Sequence, residues 1–186
     1  MHRRVVVAAL LAVSLLPLVA RAQGATAGAP AAGLRAEILG RIADIEGKLV
    51  GLAEAIPEEK YSWRPAPGVR SVSEVFMHVA GGNYYLPSFA GVKAPPGIER
   101  NMEKTVTQKA KVIEEMKASF DHVKSSLAQT PDSQLDTKTK MFGMETTWRG
   151  VYLVVLEHTS EHLGQQIAYA RSNGVAPPWS AGGGGD

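Results

Sequence analysis

The 186-residue chain contains no cysteine. That absence excludes disulfides, thiolate metal ligands, zinc fingers, iron–sulfur clusters and cysteine nucleophiles together, so any metal site must use His, Asp or Glu. A surplus of one charge is also missing. Lys plus Arg number 20 against 18 Asp plus Glu, and three of the 20 (Arg3, Arg4 and Arg21) lie in a segment read below as a removable leader, which leaves 17 against 18. So even a balance gives no basic face for nucleic acid or anionic membrane. No strand pattern of any length is present either. A content of 45% hydrophobic, 20% charged and 6% aromatic side chains is that of an ordinary globular domain.

Long apolar runs are absent except at the start. Met1 to Arg4 carry two positive charges and lead into Val5 to Ala20, 16 residues interrupted only by Ser14 and Pro17. A membrane-spanning helix needs roughly 20. The run ends in Ala20-Arg21-Ala22, a small-x-small site for cleavage before Gln23, so residues 1–22 are expected to be a signal peptide and the mature protein periplasmic or secreted, with no stable membrane span. No Cys follows the run, which removes a lipoprotein anchor. Residues 23–33 read as a flexible Ala/Gly/Pro-rich lead-in.

Folding is expected from Leu34. Leu34, Ile38, Ile42, Ile45, Leu49, Leu52 and Ile56 fall at steps of three and four, along one helical stripe that Pro57 ends. Ser71-Val72-Ser73-Glu74 has capping-box spacing and starts a second helix through Val75, Val79 and Leu86, with His78 at the margin of its apolar face and Gly81-Gly82 beside it. Those glycines either bend the helix or admit a close neighbour. A third helix carries Val106, Ala110, Ile113, Met116, Phe120, Val123 and Leu127. A fourth runs from about Trp148 to Arg171, capped by Thr146 or Thr147 and closed by Gly174, after a connection with an irregular turn at Met141 to Met144. Four amphipathic helices predict an all-α, antiparallel four-helix bundle over residues 34–179, followed by a disordered Gly-rich tail at 180–186.

The chemistry lies in the histidines. His2 belongs to the leader, and His122 projects about 180° from Ile113, toward solvent. His158 and His162 are four residues apart, about 40° around the helix and about 6 Å along it, in the arc of Val151, Val155 and Tyr169. Two inward imidazoles need partners for their ring nitrogens, at a cost of about 1–3 kcal/mol for each left unpaired. A divalent cation serves both, and His78 supplies a third nitrogen; zinc and nickel suit such a set. Three neutral ligands leave a position for water, as in catalytic zinc sites. Glu157 projects away from the pair and Glu161 lies at its edge, so neither receives a catalytic role. Tyr84, Tyr85, Trp148 and Tyr152 read as core or pocket-rim aromatics, and Lys104, Glu114, Glu115 and Lys117 as a solvated face. A bundle whose core histidines satisfy one another without metal is the plain alternative.

Taken together, Trp63-Arg64-Pro65-Ala66-Pro67-Gly68, Ser71-Val72-Ser73-Glu74, His78, His158-x-x-x-His162 and Arg171-Ser172-Asn173-Gly174-Val175-Ala176-Pro177-Pro178 resemble the DinB-like superfamily of metalloproteins, over Leu34 to about Trp179. The resemblance implies a four-helix bundle of unusual connectivity, a divalent metal on His78, His158 and His162, and often a homodimer. Some members are thiol-dependent transferases or isomerases acting through a metal-bound low-molecular-weight thiol. Such thiols are chiefly cytosolic, so an exported relative is expected to hydrolyse or transfer a group on a small-molecule substrate, or to be a non-catalytic metal- or ligand-binding module of the cell envelope. His158-Thr159-Ser160-Glu161-His162 also matches the inverted zinc-protease pattern H-x-x-E-H. Only 24 residues follow it, and the sole later acid is Asp186, which leaves that pattern without its third ligand.

Overall fold

A computed structural model of the chain describes residues 33–182. The expected leader, most of the lead-in and residues 183–186 lie outside the described residues. Four long helices dominate: α1 (Leu34–Ala55), α2 (Val72–Tyr85), α4 (Lys109–Gln129) and α5 (Trp148–Ser172), with a single turn, α3 (Met102–Thr105), between α2 and α4. None of the described helices is long and apolar enough to cross a membrane.

The stripe read from the sequence organises α1, where Ile38, Ile42, Ile45, Leu49 and Leu52 are buried and Ile56 closes the end. In α2 the capping box is complete. Ser71 Oγ accepts from the Glu74 amide, and Glu74 Oε2 accepts from the Ser71 amide at 2.7 Å. Glu74 also receives Lys104 Nζ (2.6 Å) and Arg64 Nη1 (3.2 Å), so the box fastens α3 and the incoming loop to the start of α2. Chiefly through the Lys104 contact, its carboxyl is held down at about 2. Lys104 therefore stands on α3 and ties elements together; it does not share the face of Glu114 and Lys117.

The helices pack as a ring in the order α1, α4, α2, α5, so α1 and α2, consecutive in sequence, stand on a diagonal. Directions follow from the contacts at the helix ends. Arg35, at the start of α1, donates to Thr130 O at the end of α4 (2.9 Å), and Lys109, at the start of α4, donates to Glu54 O and Ile56 O at the end of α1 (2.7 and 2.8 Å). Each cation satisfies carbonyls left over by a helix terminus. Likewise Gln166, late in α5, donates to Val72 O at the start of α2 (2.8 Å), which makes that pair antiparallel too.

Two expectations about the middle of the chain are corrected. The stripe of α4 runs through Val112, Met116, Ser119, Phe120, Val123, Ser126 and Leu127; Ala110 is exposed, Ile113 is half-buried and Val106 precedes the helix. That rotation brings His122, expected in solvent, to the bundle's margin. Its ring lies 5.5 Å from that of Tyr84, its Nε2 is buried without a partner, and burial lowers its pKa. The second correction concerns Met141 to Met144. They belong to a β-hairpin of β1 (Lys138–Met141) and β2 (Met144–Thr147), with Lys140 opposite Glu145 in register. Phe142 and Gly143 both have positive φ (52° and 82°), as a two-residue hairpin turn of this hand requires. Thr147 then caps α5 through the Gly150 amide, and Gly174 ends the region with φ of 75°.

Candidate metal centre

His78 stands on α2, and His158 and His162 stand one turn apart on α5. Antiparallel packing of these two helices brings the three imidazoles together, with one ligand nitrogen from each inside a span of 4.8 Å. Ring centroids are 5.0 Å (His78–His158), 4.8 Å (His78–His162) and 4.7 Å (His158–His162) apart. His78 Nε2 and His158 Nε2 are separated by 3.2 Å. A tetrahedral zinc ion with Zn–N bonds of about 2.0–2.1 Å sets its nitrogen ligands about 3.3 Å apart. All three histidines are half-buried, and none lies in the dry core that Val151 and Val155 occupy.

The remaining ring nitrogens fix how the imidazoles point. His78 Nδ1 donates to Glu103 Oε1 (2.7 Å), and Glu103 Oε2 accepts from Arg70 Nε (2.8 Å). His162 Nδ1 donates to Gln165 Oε1 (2.8 Å); Gln165 Nε2 donates to Tyr169 Oη (3.0 Å), and Tyr169 Oη donates to the Arg70 carbonyl (3.1 Å). The two chains of hydrogen bonds meet at Arg70. Together they hold His78 and His162 as Nδ1–H tautomers, the usual outer-shell arrangement of metal-binding histidines, and leave Nε2 as the unprotonated nitrogen, which in His78 faces His158 Nε2. None of Glu103, Arg70, Gln165 and Tyr169 was singled out from the sequence for this purpose. Gln165 was accessible from its i+3 spacing to His162. Glu103 reaches His78 from a separate short helix, and no local pattern signals it.

His158 is held by shape. Its Nδ1 is buried without a hydrogen-bond partner, and its ring lies so close to Gly82 that a Cβ there would stand 2.5 Å from Cε1 and 2.9 Å from Nδ1. Gly82 thus admits a close neighbour, and that neighbour is an imidazole. Burial first, and then the neighbouring His162, His78 and Arg70, push the His158 pKa down to about 4. Burial lowers that of His162 as well, against the opposing effect of the hydrogen bond it donates to Gln165. Both rings are neutral near pH 7, the state that ligates a cation. On the other side of the cluster, burial raises the Glu103 pKa, but Arg70 and His78 outweigh it and hold the group ionised. A three-nitrogen donor set, outer nitrogens already anchored and a glycine cradle for the third ring all fit a divalent ion. Glu157 and Glu161 are exposed, as their projection indicated.

His78 and His158 face a cavity of about 740 Å³ that also reaches Tyr84, Tyr85, Glu103 and the hairpin tip. Phe142 packs there against Phe89 and Tyr85, with ring centroids 5.2 and 6.4 Å away, which holds the turn against the cavity wall. Tyr84 and Tyr152 are core residues, whereas Tyr85 is exposed at the rim.

Residues 41–166 match the family model of the DinB superfamily. The chain belongs to this superfamily. It is 25% identical over 126 residues to the uncharacterized protein YjoA of Bacillus subtilis (strain 168), covering 66% of this chain and 80% of YjoA. Among solved structures, a DinB-like protein from Bacillus cereus ATCC 10987 superposes with a TM-score of 0.68 at 18% identity, over 76% of this chain and 93% of that one. The YjoA crystal structure gives 0.60 at 21% identity, over 74% and 92%. A conserved protein from Enterococcus faecalis gives 0.59 at 15% identity, over 76% and 97%. These structures establish the DinB-like helical fold, of which the two-stranded hairpin is a minor part in this chain.

Proposed function

We propose that the chain is an exported DinB-superfamily metalloprotein that holds one divalent cation, zinc or nickel, on His78, His158 and His162 and acts as a metal-dependent hydrolase or transferase on a small molecule. The convergence of three imidazoles beside a cavity carries this reading. The bound ion would supply Lewis acidity and a lowered pKa for water or a thiol at the position the three histidines leave open. The chain's own residues do the rest. Glu103 and Gln165 orient two of the rings, Gly82 gives the third its place, and the cavity gives a substrate access to the His78 and His158 edge while the core side excludes water. Export is supported by the layout of residues 1–22.

The deciding experiment is elemental analysis of the mature chain purified from its own export pathway, with intact mass to locate the N-terminus. About one zinc or nickel per chain, lost in His158→Ala, is the expected result. A metal-free chain of unchanged stability at neutral pH would overturn it. An activity screen of the loaded protein, with His→Ala controls, then separates an enzyme from a metal- or ligand-binding module.

A further inference from the structure

The cavity has more to it than its metal-facing edge. Its walls are largely apolar, with Met77, Leu86, Ile98, Met102, Phe142 and Val154 contributing, and its volume of about 740 Å³ suits a small organic molecule. A sugar or peptide would bring more polar groups than such walls can satisfy. Three charged side chains also line it: Glu99, Arg100 and Glu103. Glu103 is committed to His78 and Arg70, and Glu99 accepts from Thr105 Oγ1 at 3.4 Å. Arg100 is exposed and forms no ion pair among the described residues. An entering ligand therefore meets apolar surface, two imidazole edges and, at the rim, the Arg100 guanidinium beside the Glu99 carboxylate, neither with an ion-pair partner among the described residues.

We infer that the cavity takes a small apolar carboxylic acid, its carboxylate held by Arg100 and its apolar body extended along the walls toward His78 and His158. The planar fork of a guanidinium matches a carboxylate with two parallel N–H donors. Arg100 offers one cation, and so one place for a carboxylate, at the rim, and the apolar walls call for an unbranched or aromatic hydrocarbon body. The inference rests on the metal reading only for what lies at the far end of the ligand; the Arg100 contact needs no ion.

The test uses octanoate and its neutral isostere octanamide, titrated calorimetrically into the metal-loaded and the chelator-treated chain. In both forms octanoate is expected to bind about tenfold tighter than octanamide, with the advantage shrinking at high salt. Arg100→Gln, a change at an exposed position, should reduce that advantage to about twofold or less, and Ile98→Trp, which fills the cavity, should weaken both compounds. A preference for octanoate that survives Arg100→Gln overturns the inference, and so does failure of both compounds to bind. If the preference needs the ion and disappears in His158→Ala, the ion receives the carboxylate: the Arg100 assignment falls while the metal reading stands. If no ion binds yet the Arg100-dependent preference remains, the metal reading falls and this inference stands.

Discussion

The α1–α4 seam and the α2–α5 seam belong to one bundle and are built by different rules. Between α1 and α4 the buried residues are Ile38, Ile42, Leu49, Leu52, Met116, Phe120, Val123 and Leu127, with charges only at the ends and rim, where Arg35, Lys109 and the Lys124–Glu46 pair sit. Apolar side chains of suitable volume satisfy such a seam. Between α2 and α5, Gln166, Tyr169 and the three histidines cross the interface, and Gln166 Nε2, Tyr169 Oη, His78 Nε2, His158 Nε2 and His162 Nδ1 each reach a named partner. The first seam is a packed apolar interface, and the second brings together the candidate site. Polar groups at half-buried positions are held by specific geometry, so the second seam tolerates far less substitution without loss of what it does.

This contrast can be broken most forcefully on the apolar side. Phe120→Ala should lower unfolding stability by about 3–5 kcal/mol in a denaturant melt while leaving the metal content of the folded fraction unchanged. Loss of metal in that variant would show that the seams are coupled. Gly82→Val should do the opposite, since the new side chain meets the His158 ring: circular dichroism should keep its helical signal while metal affinity falls by up to about 100-fold in chelator competition. Glu103→Ala removes the acceptor for His78 Nδ1 and should weaken metal binding by about 10–100-fold, with the larger part of stability retained.

The smallest effect is expected in acid. Glu74 has its pKa lowered from the usual 4.5 to about 2, so between those values the unfolded chain binds the proton that the folded chain does not. Its contribution is complete above pH 4.5 and is lost as pH falls toward 2. Glu74→Gln should flatten the pH dependence of the melting temperature in that window and leave the α2–α5 site loaded at neutral pH. An unchanged slope would show that the capping box and its Lys104 partner do not carry the acid sensitivity of this region.

Features whose partners lie within one turn were legible in the sequence. Ser71 with Glu74, Thr147 before α5, Gly174 after it, and the His158–His162 pair all depend on spacing along a single helix, and each sits where that spacing indicated. His78 was legible through the order of motifs more than through its own surroundings. The hairpin escaped notice because its turn uses Phe142 where Asn or Asp is the common signal, and its strands are only four residues long. A stripe centred on Ile113 sends His122 to solvent, but the buried stripe of α4 runs through Val112, and a single residue turns a helix by about 100°.

By itself the sequence determined the four long helical segments, the caps of α2 and α5, and which two imidazoles share a face, since helix periodicity and capping are local physics; the turn α3 and the start of α4 at Lys109 lay outside that. Only the tertiary structure decided that α1 and α2 stand on a diagonal, that α2 runs antiparallel to α5 so that His78 meets the other two, and that Glu103, Arg70 and Gly82 complete the surroundings. Those contacts join residues 25 to 99 positions apart, and their energies depend on packing that no single segment contains.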